Sequence, residues 1–424
     1  MRTSGVLLGL LAAASGCAPS PKAPIAVYVL ALDATRNYVP TRTQLYTLGD
    51  AVALTGTAGE VLGGASIVID PSDPLLQDST GSGLSDSQVA AALTKNPGSS
   101  PHADYFTKSG ALYPADYWSW AAVSHYANLE AAFHYWQNEI GVPSSELGQT
   151  TSYLAPSFVN KTASTLPLTD DSFYVAALRA TVFLPAVEYS NTPTYLNLGN
   201  VAHEYSHKVF SHFVYADSLS PPPTTLWSST TGLWVMLALD EGLADYHGYG
   251  ATCSTAYGCD PRYLSLTFPS TVIGVRDFTT TTYGCLSRAN ISLLNSPATI
   301  STNGFQYVVG TAIASALYFT GLESVDTGPS QRQDVERAVF QAYNDDLEQS
   351  PGFAQLVVQN GNQGQNVTLG TMLNAIATHL GSGTPLQTRL CNQLKDRLGL
   401  LDANLPACPT FDIHDASCPD RTAP

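Results

Sequence analysis

Two short segments carry the residues of this chain most suited to chemistry. Ala202-His203-Glu204-Tyr205-Ser206-His207 places two imidazoles four residues apart, and Asp240-Glu241-Gly242-Leu243-Ala244-Asp245 places Glu241 and Asp245 at the same interval. Residues four apart lie on one helix face, one turn apart, so both imidazoles can reach one ion. Glu204 is rotated about 100° from His203. That turns it out of the ligand set but leaves it within reach of a water at an open coordination position. Zn²⁺ held by three protein groups lowers the pKa of such a water to about 7. Glu204 can take that proton and pass it to a leaving amine. Glu241 is the expected third ligand. It follows the apolar run Leu233-Trp234-Val235-Met236-Leu237-Ala238-Leu239, and a carboxylate at the end of a buried run needs a partner. Asp245 is expected to accept the other ring N–H of a ligand His and so fix its tautomer. The plainer alternative is an amphipathic helix with two solvated acids. The set as a whole implies metal-assisted hydrolysis, most often of peptide bonds. One Zn²⁺ per chain is expected, although such a donor set also accepts other divalent ions.

The elements that must position these groups are readable from periodicity. The flanks of the first motif, Leu196 to Ala202 and Lys208-Val209-Phe210, contain no proline and read as helix. Between His207 and Glu241 lies Ser220-Pro221-Pro222-Pro223-Thr224-Thr225, a loop that would rim or cover a cleft. Insertions of this kind cost little stability. Helices are expected at 305–322, 331–347, 371–380 and 386–398. Alternating apolar and polar residues over 25–70 predict strands, with turns at Gly49-Asp50 and Gly63-Gly64.

With HEYSH and EGLAD in place, the chain resembles the gluzincin metallopeptidases, the thermolysin-like and fungalysin-like group. The resemblance covers roughly 117–322. It implies His203, His207 and Glu241 as zinc ligands, Glu204 as general base and Asp245 as support for His203. It also implies an aromatic helix over 118–140 and a strand over 176–186 beside the substrate. Two features depart from the group: the His207-to-Glu241 interval is longer than in thermolysin, and the His that stabilises the oxyanion is replaced. The matching segment is Phe305-Gln306-Tyr307-Val308-Val309-Gly310-Thr311-Ala312, with Tyr307 near the expected His. Tyr307 is then the oxyanion donor, or a core aromatic on an apolar helix. His247 is a second candidate donor, on the far side of its helix. The implied fold is an α+β, two-lobed zincin domain with a small N-terminal β region. The implied activity is that of a zinc metalloendopeptidase acting on polypeptide substrates. An aminopeptidase, or a zinc-bearing pseudopeptidase that serves as a surface binding protein, is the alternative.

The N-terminus predicts the compartment. Arg2, the short apolar stretch from Val6 to Ala14 and Ala14-Ser15-Gly16-Cys17 resemble a bacterial lipoprotein signal, cleaved before Cys17 and lipidated on its thiol. The expected location is the outer membrane or cell surface, otherwise secretion. Only the lipid anchor is expected to touch the membrane, since no stretch after the signal reads as long and apolar enough to span a bilayer. The six remaining cysteines allow fifteen pairings in an exported chain. Cys253–Cys259 is the favoured pair, and Cys391, Cys408 and Cys418 predict a stapled tail tied back to Cys285. The formal net charge of −16 argues against nucleic acid and anionic lipid as partners, since both need basic patches. Asp170-Asp171 and Asp345-Asp346 are candidate Ca²⁺ ligands, or simply solvated acids. The expected organisation is a signal at 1–16, a tether at 17–24, an N-terminal β region and connector at 25–100, a catalytic domain at 101–390 and a cysteine-containing tail at 391–424.

Overall fold

A computed structural model of the chain describes residues 23–70, 72, 86–161, 171–186, 192–216, 230–268, 276–287, 289–291, 305–322, 331–343, 352–357, 368–400, 405–408 and 418. The fold is α+β. The signal and Cys17, the Ser220–Thr225 loop, Asp170 and Asp345-Asp346 lie outside the described residues.

The strands are β1 (Ile25–Leu32), β2 (Tyr38–Leu45), β3 (Leu48–Asp50), β4 (Thr55–Gly56), β5 (Gly59–Gly63), β6 (Ser66–Ile69), β7 (Tyr105–Lys108), β8 (Ala111–Pro114), β9 (Thr150–Leu154), β10 (Ser157–Asn160), β11 (Ser172–Val175) and β12 (Ala180–Phe183). They form a four-stranded sheet β2-β1-β8-β7, a pair β10-β6 and a six-stranded sheet β11-β12-β9-β5-β4-β3. β5 pairs in parallel with β9 across the expected boundary at 100, because a parallel neighbour must come from a distant part of the chain.

The expected aromatic helix is α2 (Tyr117–His134), which continues as a π-helical turn over Tyr135–Ile140. Asp116 caps it, accepting from the Ser119 amide. Its buried face carries Ala122, Tyr126, Leu129 and Phe133. Glu130, also buried, accepts from the amides of Tyr46 and Thr47 at 2.8 Å each and from the Thr47 hydroxyl. That contact stitches the end of β2 to the helix.

Past the short helices α1 (Asp86–Lys95) and α3 (Ser144–Leu147), the remaining elements named here are helical: α4 (Leu198–Tyr215), α5 (Thr230–Thr252), α6 (Phe305–Leu322), α7 (Arg332–Tyr343), α8 (Leu369–His379) and α9 (Pro385–Leu398). α6 is long and apolar enough, by length and composition, to cross a membrane, contrary to the reading of the sequence. It is instead a core helix, with Val309, Ala312, Ile313, Ala316 and Leu317 completely buried. α9, the helix expected at 386–398, buries Leu390, Cys391 and Leu394. The cysteines pair as Cys253–Cys259, Cys285–Cys418 and Cys391–Cys408.

Candidate metal centre

α4 starts where Asn197 caps it. The Asn197 side chain accepts from the Gly199 amide at 3.1 Å, and its amide group donates to the Tyr263 carbonyl at 2.8 Å. The helix then carries the buried His203 and Glu204 and the partly buried His207. α5 packs alongside and brings Asp240, Glu241 and Asp245. Tyr263 wedges between the two helices where Gly199 and Gly248 leave room; a Cβ at either glycine would lie under 3 Å from its ring or hydroxyl. The Tyr263 hydroxyl donates to Asp245 Oδ1 at 3.3 Å.

Each imidazole has its own carboxylate. His207 Nδ1 lies 2.8 Å from Asp240 Oδ1, and His203 Nδ1 lies 3.1 Å from Asp245 Oδ1. A carboxylate only accepts, so each Nδ1 directs a proton at its acid and each Nε2 is the atom left for a metal. The two Nε2 atoms converge to 3.0 Å, and Glu241 Oε2 lies 3.6 Å from His203 Nε2. A tetrahedron with bonds of 2.0–2.1 Å has edges of about 3.3 Å, and these separations bracket that value. Among the described residues, the group whose donor atoms all lie within 4.8 Å of one another is His203, Glu204 and His207; Glu241, the expected third ligand, approaches His203 and is held by Arg276.

Glu204 is almost fully buried. Ser172 Oγ, on the edge strand β11, donates to its Oε1 at 2.8 Å. Its Oε2 has no hydrogen-bond partner among the described residues. An unpaired, buried carboxylate oxygen is costly; Glu204 as a residue lines a cavity of about 260 Å³ together with His203, His207, Glu241 and Tyr307. Burial pushes the pKa of Glu204 upward, opposed by the charge of His207 and the Ser172 hydrogen bond.

The local charge balance is negative. Arg276 donates through Nη2 to Asp245 Oδ1 at 2.6 Å and to Glu241 Oε2 at 3.2 Å, and through Nε to Asp245 Oδ2 at 3.2 Å. Burial would raise the pKa of Asp245, but Arg276 and His203 outweigh it and hold the carboxyl at about 2. Burial likewise opposes protonation of His207, yet Asp240, Glu241 and Glu204 push it up to about 10. The pair of motifs thus calls for another positive charge, and a divalent cation between the Nε2 atoms would satisfy that demand. The donors fit such an ion: two imidazoles, of which His207 would give up its extra proton on binding, and a carboxylate, all on rigid helices, with each imidazole oriented by a carboxylate behind it.

Tyr307, on α6, lines the same cavity, and its ring packs 4.7 Å from the Arg276 guanidinium. The charge of Glu241, then burial, holds its hydroxyl above its usual pKa, so it remains a donor. His247 is elsewhere: its Nδ1 pairs with the Tyr135 hydroxyl at 2.8 Å and its ring packs on Trp136. The strand expected over 176–186 is shorter, Ala180–Phe183, and lies inside the sheet; a 3₁₀ turn at Ala176–Leu178 precedes it. The strand bordering the cleft is β11, whose residues Ser172, Phe173 and Tyr174 line it. Asp171 lines the cleft too.

Sequence reading assigned no role to Asp240, Arg276, Ser172 or Tyr263. Asp240 carried one weak signal, its place just before Glu241. The others come from distant segments with no local pattern. No protein-family model and no curated protein matches the chain.

Proposed function

We propose that the chain is a zinc-dependent metalloendopeptidase of gluzincin type, with its catalytic cleft between the sheet edge at β11 and helices α4 and α5. One observation carries the reading. The two Nε2 atoms lie 3.0 Å apart, Glu241 Oε2 lies 3.6 Å from that of His203, each imidazole is backed by its own acid, and Glu204 lines the same cavity. His203, His207 and Glu241 would hold the ion. A divalent metal there supplies Lewis acidity toward a carbonyl and toward water. Glu204 Oε2 accepts the proton of the attacking water and delivers it to the departing amine. Ser172 holds the other oxygen of that carboxylate and fixes its orientation. Arg276 fixes Glu241 and Asp245, and Tyr307 offers an O–H to the developing oxyanion.

The test is metal content by elemental analysis, paired with a quenched peptide library with and without chelator. One zinc per chain and chelator-sensitive internal cleavage are expected. Glu204→Gln should keep the metal and lose turnover by several orders of magnitude. Cleavage surviving in Glu204→Gln would sink the reading.

A second reading, action on a free amino terminus, draws on Asp171, a carboxylate at the cleft that could face an ammonium group. Comparing free and N-acetylated peptides separates the two. We further propose that the protein is an exported lipoprotein anchored through Cys17, as Ala14-Ser15-Gly16-Cys17 suggests; the mass of the N-terminal peptide tests this.

A further inference from the structure

We propose that the outer face of the four-stranded sheet β2-β1-β8-β7 rests on an anionic lipid bilayer. The inference goes beyond the peptidase reading and does not depend on it; it rests in part on the proposed lipid anchor at Cys17.

The face is defined by register. Arg42 on β2 is paired with Tyr28 on β1. The β1–β8 alignment, Val27 beside Leu112, sets Tyr28 next to Tyr113. Tyr113 is paired with Phe106 on β7. One row of side chains therefore crosses all four strands: a guanidinium and three aromatic rings. The rings touch, with centroids 5.1 Å apart for Tyr28 and Tyr113 and 4.8 Å for Tyr113 and Phe106. The Lys108 ammonium stands 4.3 Å from the Tyr113 ring centroid. Val27 and Val29 point the other way, into the core. Phe106 is 51% exposed, a large apolar ring left in water beside two exposed cations.

Charge segregation selects the occupant. The four strands, IAVYVLAL, YVPTRTQL, YFTK and ALYP, contain Arg42 and Lys108 and no acidic residue, in a chain with 34 acids and a net charge of −16. Aromatic rings combined with cations suit the headgroup layer, where an amphipathic ring has both an apolar and a wet side. With a lipid on Cys17, the chain length would bring the face to a membrane. Cys17 precedes Ile25 by eight residues, which reach at most about 29 Å fully extended. A lipid on Cys17 would hold β1, with Tyr28 in it, close to the bilayer. Arg42 and Lys108 then meet phosphate groups, each gaining roughly what one cation gains near an anionic surface.

The experiment uses the full chain on vesicles of phosphatidylethanolamine with phosphatidylglycerol. Hydroxyl-radical labelling of Tyr28, Phe106 and Tyr113 is compared with that in detergent, with Tyr283 on the helical part as reference. The expected result is severalfold protection of the three rings and none of Tyr283. Arg42→Gln with Lys108→Gln, both on exposed side chains, should abolish that protection and leave the melting temperature unchanged. N-terminal peptide mass reads the anchor separately. If Cys17 carries no lipid, sedimentation of the same chain with these vesicles tests the face directly, and the double variant should weaken binding about thirtyfold at low salt. Equal labelling on vesicles and in detergent, with the lipid present, overturns the proposal. So does failure of an unlipidated chain to sediment, or protection produced by an anionic polysaccharide and not by vesicles.

Discussion

Gly242 and Gly310 face each other where α5 crosses α6, and a Cβ on Gly242 would fall 2.5 Å from the Gly310 carbonyl oxygen. The contact is backbone against backbone, so nothing flexible can give way. It lies one residue after Glu241 and one helical turn from Tyr307, and it sets how close those side chains come. Gly242→Ala should force the helices apart and destabilise the protein by about 1–3 kcal/mol. Chemical denaturation reads the stability, and a fall in bound metal per chain reads the displaced Glu241. An alanine variant with unchanged stability and metal content would show that the crossing is looser than this.

Asp240 orients His207 from behind. Asp240→Ala should weaken metal binding by roughly 10–100-fold, the usual cost of losing such a partner. Competition with a chromophoric chelator measures it. The far-ultraviolet circular dichroism should not change, because the carboxylate sits at the rim of the centre and not in the apolar core.

Arg276 is the positive counterweight to two buried acids. Arg276→Met leaves Asp245 and Glu241 without it and should cost about 3–5 kcal/mol in the metal-free protein. Arg276→Lys should recover only part, since an ammonium cannot span both carboxylates as the guanidinium does. Saturating zinc should rescue both variants partly, by supplying charge to Glu241.

His125 predicts an acid-labile fold. It is completely buried. Its Nδ1–H donates to the Tyr195 carbonyl at 3.1 Å, and its Nε2 accepts from the Ser152 hydroxyl at 2.6 Å, which in turn accepts from the Thr181 hydroxyl at 2.9 Å. Burial, partly offset by the Tyr195 carbonyl, pulls its pKa down to about 4 from 6.5. The unfolded chain therefore binds this proton first. Stability is fully present above pH 6.5 and is lost as pH falls toward 4, by on the order of 3 kcal/mol for this group. Thermal unfolding across that window should show a falling midpoint, and His125→Gln should flatten the slope. A midpoint that holds steady from pH 6.5 to 4 would contradict the assignment.

Local spacing determined what lies within one turn of one helix. His203 and His207 share a face, as do Glu241 and Asp245, because helical periodicity fixes the direction of a side chain whatever packs around it. The Cys253–Cys259 pair was legible for the same reason, its cysteines being only six residues apart. The alternating pattern of 25–32 was enough to read β1, but not to tell which strands would flank it: β2 by a hairpin, β8 by a pairing across about eighty residues. Tertiary structure alone decided the rest. Arg276 meets Asp245 from 31 residues away and Ser172 meets Glu204 from 32, with no periodicity linking either pair. The edge of the sheet fell at β11 and not at the more apolar 180–183, because the strand buried on both sides is the one that can be apolar throughout. α6 has a membrane-like composition and lies in the core, since an apolar helix carries no mark of which apolar surroundings will receive it.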